Sequence, residues 1–168
     1  MTVPRATVRP ARRTDLPEVA AVYGHHALHG VATFDEAPRP LAEWERKYDD
    51  LVARGLPFLV TEEAGRVTGF AHAGPYRPKP AYRYTVEDSV YLAPDATGRG
   101  LGTALLGALL DACGHAGARR VVAVITDPGG QASAALHRRF GFTEAGRLTA
   151  VGYKHGRWLD TLLFQREL

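Results

Sequence analysis

"APDATGRGLGTALLGALLDAC", Ala93–Cys113, is the stretch on which the reading of this chain turns. Three glycines, Gly98, Gly100 and Gly102, alternate with Arg99 and Leu101 just before a run of leucines and alanines. Glycine loses more backbone freedom on folding than any other residue, so three at the mouth of a helix mark a backbone with special dihedrals or a close neighbour. Behind them Leu101, Ala104, Leu105, Ala108, Leu109 and Ala112 fall on one stripe of an amphipathic helix. Ahead of them "YTVEDSVYL" is rich in β-branched and aromatic residues and reads as a strand. Strand, glycine turn and helix together present unpaired N–H groups at the positive end of a helix, a natural seat for phosphates. Arg99 and the Thr103 hydroxyl are placed to add contacts. The plainer alternative is a tight turn with no ligand.

Two nucleotide motifs fit poorly. A P-loop ends in Gly-Lys-Ser/Thr, and here Gly102 runs straight into Thr103 with no lysine. A dinucleotide fingerprint wants an acid at the end of the next strand, and Asp127 after "RRVVAVI" comes late for it.

The remaining chain reads as short alternating elements. "TVRPA" predicts a first strand, Thr14 an N-cap for a helix that Gly30 ends, and Leu41–Ala53 a second helix stopped by Gly55 and Pro57. "PFLVTEEAGRVTGFAHAG" is a hairpin signal, and "PYRPKPAYR", with three prolines, is a loop. "RRVVAVI" predicts a buried strand, "SAALHRRFGF" a short helix closed by Gly141, and Glu144–Val151 with Leu159–Arg166 a last hairpin around "KHGRW". Hairpins mixed with βαβ units predict an α+β domain, residues 1–168, around one mixed sheet.

"TGRGLG" resembles the acetyl-coenzyme A motif of the GNAT N-acetyltransferase superfamily, Gln/Arg-x-x-Gly-x-Gly/Ala, with Thr97 where Gln or Arg is usual. "VATFDEAP…EW", "AHAGPYRPKPAYRYTVEDSVYL", "SAALHRRFGF" and "AVGYKHGRWLDTLLFQREL" resemble, in the same order, segments of its phosphinothricin N-acetyltransferase branch. The resemblance spans roughly Val8 to Leu168 and implies the GNAT fold, a mostly antiparallel, twisted mixed sheet flanked by helices. It implies acetyl-CoA as co-substrate, its diphosphate on the amides of Thr97, Gly98, Arg99, Gly100, Leu101, Gly102 and Thr103. The pantetheine arm then follows Val90, Tyr91 and Leu92, and Ser133 lies beside the coenzyme. Gly130 stands where the branch commonly has an asparagine, with Gln131 or a water as the alternative substitutes.

Acetylating an amine requires a neutral nitrogen, so a positioned base must take a proton from the ammonium, directly or through water. The resemblance assigns that role to Glu87, which on an ideal strand shares a face with Thr85, Ser89 and Tyr91 while Asp88 points away. Backbone N–H groups near Tyr91 and Leu92 are expected to hold the oxyanion. His137 stands where many relatives have the tyrosine that protonates the leaving thiolate, and its alternative is a structural role. Arg77, Lys79 and Arg83, interleaved with Tyr76 and two further tyrosines, suit a carboxylate or phosphinate, or else form a solvated basic loop. Phe34 matches a pocket aromatic of the branch. The implied acceptor is a small amino acid or analogue such as phosphinothricin, methionine sulfoximine or methionine sulfone. Rival readings are a non-catalytic coenzyme-binding protein on this scaffold, or an acetyltransferase for protein N-termini or polyamines.

A net charge of +3 and the lack of a basic block give no case for nucleic acid. The opening "MTVPRATVRPARR" has no apolar signal core, and "VVAVI" is too short to span a bilayer, so a cytoplasmic protein without a membrane partner is expected. The lone Cys113 sits among leucines and reads as a core residue, with a nucleophile as the alternative. His25 and His29 have i, i+4 spacing without a third ligand nearby, so no metal is expected. His155 and Trp158 read as turn and packing residues, with a role in the site or in a dimer contact as the alternative. A homodimer is implied by the resemblance alone.

Overall fold

A computed structural model describes residues 5–168. Seven strands form one sheet in the order β1-β2-β3-β4-β5-β7-β6. In chain order the elements are β1 (Thr7–Pro10), α1 (Leu16–His29), α2 (Leu41–Ala53), β2 (Phe58–Glu63), β3 (Arg66–Pro75) and β4 (Thr85–Leu92). They continue with α3 (Leu101–His115), β5 (Arg120–Asp127), α4 (Gln131–Arg139), β6 (Thr143–Lys154) and β7 (Arg157–Glu167). Every neighbouring pair is antiparallel except β4–β5, so the sheet is mixed, as the alternating hairpin and βαβ signals predict.

Each face of the sheet carries its own core. On one side Leu105, Leu106, Leu109 and Cys113 of α3 pack against Ala71, Val121 and Phe164. On the other, Leu16, Val19 and Tyr23 of α1 and Trp44 of α2 cover Phe58, Val60 and Phe70. The period-two alternation of β3 divides these layers, sending Phe70 one way and Ala71 the other. Cys113 is fully buried, and burial pushes its thiol up to about 12, which makes it inert core.

Thr14 does not cap α1. A short 3-10 turn, Arg13–Asp15, comes first, and the Asp15 carboxylate accepts from the Arg12 N–H at 2.7 Å. Arg9 locks that carboxylate with two bonds of 2.8 and 2.9 Å, a bidentate grip that Thr14 cannot match. The last hairpin is longer than its hydrophobic pattern suggests. His155 and Gly156 both have positive φ, 51° and 73°, so a two-residue turn lets pairing run to Lys154–Arg157. The proline loop contains one further 3-10 turn, Pro80–Tyr82.

Candidate functional site

β4 and β5 share only three ladder pairs, the last being Glu87–Val122. Beyond it the two strands part, while β5 stays paired with β7 as far as Asp127–Asp160. A cavity of about 410 Å³ fills the gap, bordered by Glu87–Tyr91, Thr126, Phe34, Ser133 and His137. Strand backbone that loses its ladder partner needs another, so this edge of β4 is suited to an extended polar ligand.

A second cavity of about 310 Å³ lies toward α1 and α2 and is bordered by Tyr23, Arg39, Trp44, Lys47 and His72. Glu87, Ser89 and Tyr91 border both cavities. They are the alternate residues of one strand face, and that face stands where the cavities meet. Burial, then the charge of Asp88, raises the Glu87 carboxyl above the usual range, against the pull of Arg77 and Lys47. A carboxylate of raised affinity for protons is the better base.

Asp88 points to the opposite face, as expected, but it is not idle. Its Oδ2 accepts from His137 Nε2 at 2.8 Å, and both side chains are buried. The other ring nitrogen, Nδ1, lies 2.7 Å from the Ser133 carbonyl and 3.4 Å from its hydroxyl. Burial alone would depress the imidazole. The hydrogen bond and charge of Asp88, with the Ser133 carbonyl, outweigh it and raise His137 above its ordinary value. An acceptor at each nitrogen favours the protonated ring.

The glycine turn owes its composition to dihedrals. Gly98 and Gly100 have φ of 72° and 78°, and a Cβ at either would meet nothing of the protein. The left-handed region, which L side chains rarely enter, is the reason for glycine there. Gly102 lies within α3 and differs, since a Cβ there would come 3.4 Å from Leu136. The first N–H groups of α3 have no helical partner and open outward beside the exposed turn. Arg99 pairs with Glu63, Thr97 faces solvent, and Thr103 accepts from Arg139 of α4 at 3.1 Å. Along β4, Val90 and Tyr91 border the larger cavity, while the Leu92 carbonyl accepts from His26 Nε2 at 2.7 Å. Gly130 tolerates no asparagine in this backbone, because its Cβ would lie 2.2 Å from the Thr126 carbonyl oxygen. Gln131 Oε1 accepts from the Gly129 N–H of its own loop at 3.1 Å.

Of the expected acceptor contacts, Phe34 borders the larger cavity and Arg77 stacks on Tyr76 within electrostatic reach of Glu87. Tyr76 borders a separate groove near Thr85 and Gln165. Exposed Lys79 borders neither central cavity, and Arg83 folds over Tyr84 and donates to the Pro80 carbonyl. The cations in the second cavity are Arg39 and Lys47, which the motif reading passes over. One signal was available: Trp44, Lys47, Tyr48 and Leu51 fall at i, i+3, i+4 and i+7, so a lysine sits inside the apolar stripe of α2. Lys154 was equally hidden. It is 2 % exposed and donates to the Thr33 carbonyl at 2.8 Å, clamping the segment that carries Phe34. The His25 and His29 rings lie 5.0 Å apart and tilted by 47°, and among the described residues no three metal-binding side chains converge.

Residues 23–142 match the family model described as acetyltransferase (GNAT) family. The chain belongs to the GNAT acetyltransferases. It is 46% identical to a phosphinothricin N-acetyltransferase of Alcaligenes faecalis over 162 residues, 96% of this chain and 82% of that protein. An L-methionine sulfoximine/L-methionine sulfone acetyltransferase of Pseudomonas aeruginosa is 40% identical, covering 97% and 95%. A phosphinothricin acetyltransferase from Sinorhizobium meliloti, solved with acetyl-CoA, superposes with a TM-score of 0.92 at 44% identity, covering 97% and 88%. A Salmonella typhimurium acetyltransferase, solved with its cofactor acetyl-CoA, gives 0.94 at 37% identity, covering 97% and 94%. In this GNAT chain Glu87, the parting of β4 from β5 and the glycine turn follow one another along β4, the middle strand of the sheet, and the segment after it.

Proposed function

We propose that this chain, one N-acetyltransferase domain, acetylates the α-amino group of a small amino acid or analogue, with phosphinothricin, methionine sulfoximine and methionine sulfone as candidate acceptors. Glu87, at the junction of two cavities, carries the reading, because the larger suits a coenzyme arm and the smaller an amino acid. The left-handed turn at Gly98 and Gly100, with the outward N–H groups of α3, is a cradle for a diphosphate. Val90 and Tyr91 line the arm's path, and Ser133 stands across from them. Acetyl-CoA supplies an activated thioester carbonyl.

The chain's own groups do the proton work. Glu87 takes a proton from the acceptor ammonium, directly or through one water, leaving a neutral nitrogen lone pair for attack. As coenzyme A leaves, its thiolate takes back, through water, the proton accepted by Glu87 or the one released by the acylated nitrogen, so the transfer balances without drawing on the His137 ring. His137 keeps Nε2 on Asp88 and Nδ1 on the Ser133 carbonyl, and so acts as a positioning residue in the coenzyme-side wall. A thiol-release assay with acetyl-CoA across the three analogues, free amino acids, polyamines and N-terminal peptides tests the reading. Release with small amino acids supports it; release only with polyamines or peptides contradicts it.

The enzyme is further proposed to be a cytoplasmic homodimer. Leu148, Val151, Tyr153 and Trp158 of the β6–β7 hairpin are each half exposed or more, an apolar surface of the kind that pairs copies. Light scattering on the full chain checks it, with a monomer as the contrary result. Among the described residues no helix is long and apolar enough to cross a membrane.

A further inference from the structure

The smaller cavity has a chemical bias that the proposed acetylation does not explain by itself. Its polar side chains are mostly donors. Lys47 is half-buried on α2, close enough to Glu87 for the two charges to act on each other. Its acidic neighbour Asp50 is held by Arg54 at 2.9 Å, so Lys47 has no ion-pair partner among the described residues. Arg39 is fixed by three contacts. Its Nε donates to Asp35 at 2.7 Å, and its guanidinium lies 4.8 Å from the ring centre of Tyr23 and 5.7 Å from that of Trp44. This rigid clamp leaves the terminal nitrogens of Arg39 without a recorded partner.

Two further groups in the wall are orphaned. Trp44 Nε1 and His72 Nδ1 are buried and bond to nothing in the described chain. An indole N–H only donates, and a buried donor without an acceptor costs free energy that native proteins seldom leave uncompensated. The positive field is also felt within the wall. Burial, then the charges of Lys47 and Arg39, hold the His72 imidazole well below its ordinary value. Among the described residues, Glu87 is the one carboxylate bordering this cavity.

We propose that Lys47 and Arg39 form the receptor for the α-carboxylate of the acceptor, with Lys47 as its principal contact. The inference rests on the amino-acid acetylation proposed above and names the groups that select an amino acid over a simple amine. In a zwitterion the ammonium and carboxylate flank one carbon. A cavity bordered both by a base and by a lysine without an ion pair among the described residues can receive both groups together. Binding the carboxylate at Lys47 turns the ammonium toward Glu87, so recognition and proton removal are set by one pose. Of the cations expected from the proline loop, Arg77, Lys79 and Arg83 border neither cavity; Arg77 acts on Glu87 by charge, as Lys47 does, but from outside the smaller cavity's lining.

The test compares methionine sulfone with its carboxamide, which keeps the amine and side chain but loses the anion, in thiol-release kinetics with saturating acetyl-CoA. The wild-type chain prefers the acid. Lys47→Met raises KM for the acid roughly 10- to 100-fold, the range of one charged hydrogen bond, and leaves the carboxamide near its wild-type value. Lys47→Arg restores most of the preference. Equal losses on acid and carboxamide, or no loss on either, overturn the proposal while leaving acetylation of amino acids intact. A loss with phosphinothricin but not with methionine sulfone also overturns it, since Lys47 would then be reading the side-chain anion. If the wild-type chain releases no thiol with any amine, the acetylation reading fails separately. Calorimetric titration with the same acid and carboxamide then still decides. A preference for the acid that Lys47→Met abolishes supports the carboxylate receptor, and its absence refutes it.

Discussion

His137 and Asp88, 49 residues apart in the chain, form a buried pair with Nε2 2.8 Å from Oδ2. The pairing favours the protonated form of a histidine in the coenzyme-side wall. The folded imidazole binds its proton more tightly than in the unfolded chain, so the pair's contribution to stability is complete below the ordinary imidazole value. It is withdrawn as the pH rises through the raised folded value. Proton-detected titration of the His137 ring is expected to give a value above that of an exposed histidine. Asp88→Asn brings it down, because burial then acts with less opposition. An unchanged value in Asp88→Asn contradicts the pairing.

Glu87 has the opposite consequence for the protein. Its carboxyl is raised chiefly by burial, so ionising it costs stability as the pH climbs through that raised value. Near neutrality Glu87→Gln is therefore expected to melt at or above the wild-type temperature while losing activity. Thermal melts at neutral pH check this, and a clearly lower melting temperature goes against it. In wild type, kcat falls on the acid side with a midpoint above that of an exposed glutamate.

Phe34 is held from beneath by the end of β6. A Cβ on Gly152 would lie 2.4 Å from the Phe34 ring, and Lys154 ties down the Thr33 carbonyl beside it. Gly152→Ala is expected to swing Phe34 out of the larger cavity and to raise KM for the acceptor, with the melting temperature changed by only a few degrees, roughly the effect of 1 kcal/mol in a domain of this size. Lys154→Met releases the same segment. A crystal structure of Gly152→Ala with Phe34 unmoved would count against this support.

What the sequence disclosed followed periodicity and turn chemistry. The α2 boundaries, the β2–β3 hairpin and the strand–turn–helix unit at Gly98–Gly102 emerge from local pattern, because each is made by residues close in the chain. The glycine turn was visible, although the split between dihedral need at Gly98 and Gly100 and packing at Gly102 was not. Asp88 escaped notice because its partner comes from α4, and alternation shows only which face a strand residue takes. Lys154 and Arg39 act on segments brought near by the sheet, a tertiary fact with no local sign. Lys47 did leave a trace, a charge inside an apolar stripe, which pattern reading usually assigns to a snorkelling side chain.

Glu87 at the meeting of two cavities is the claim on which the account stands. The direct measurement is thiol release from acetyl-CoA with methionine sulfone, in wild type and Glu87→Gln, alongside calorimetric coenzyme binding by both. The account predicts turnover by wild type, a loss of roughly 10²-fold or more in kcat for the variant, and equal coenzyme affinity. A variant that turns over at the wild-type rate would contradict it.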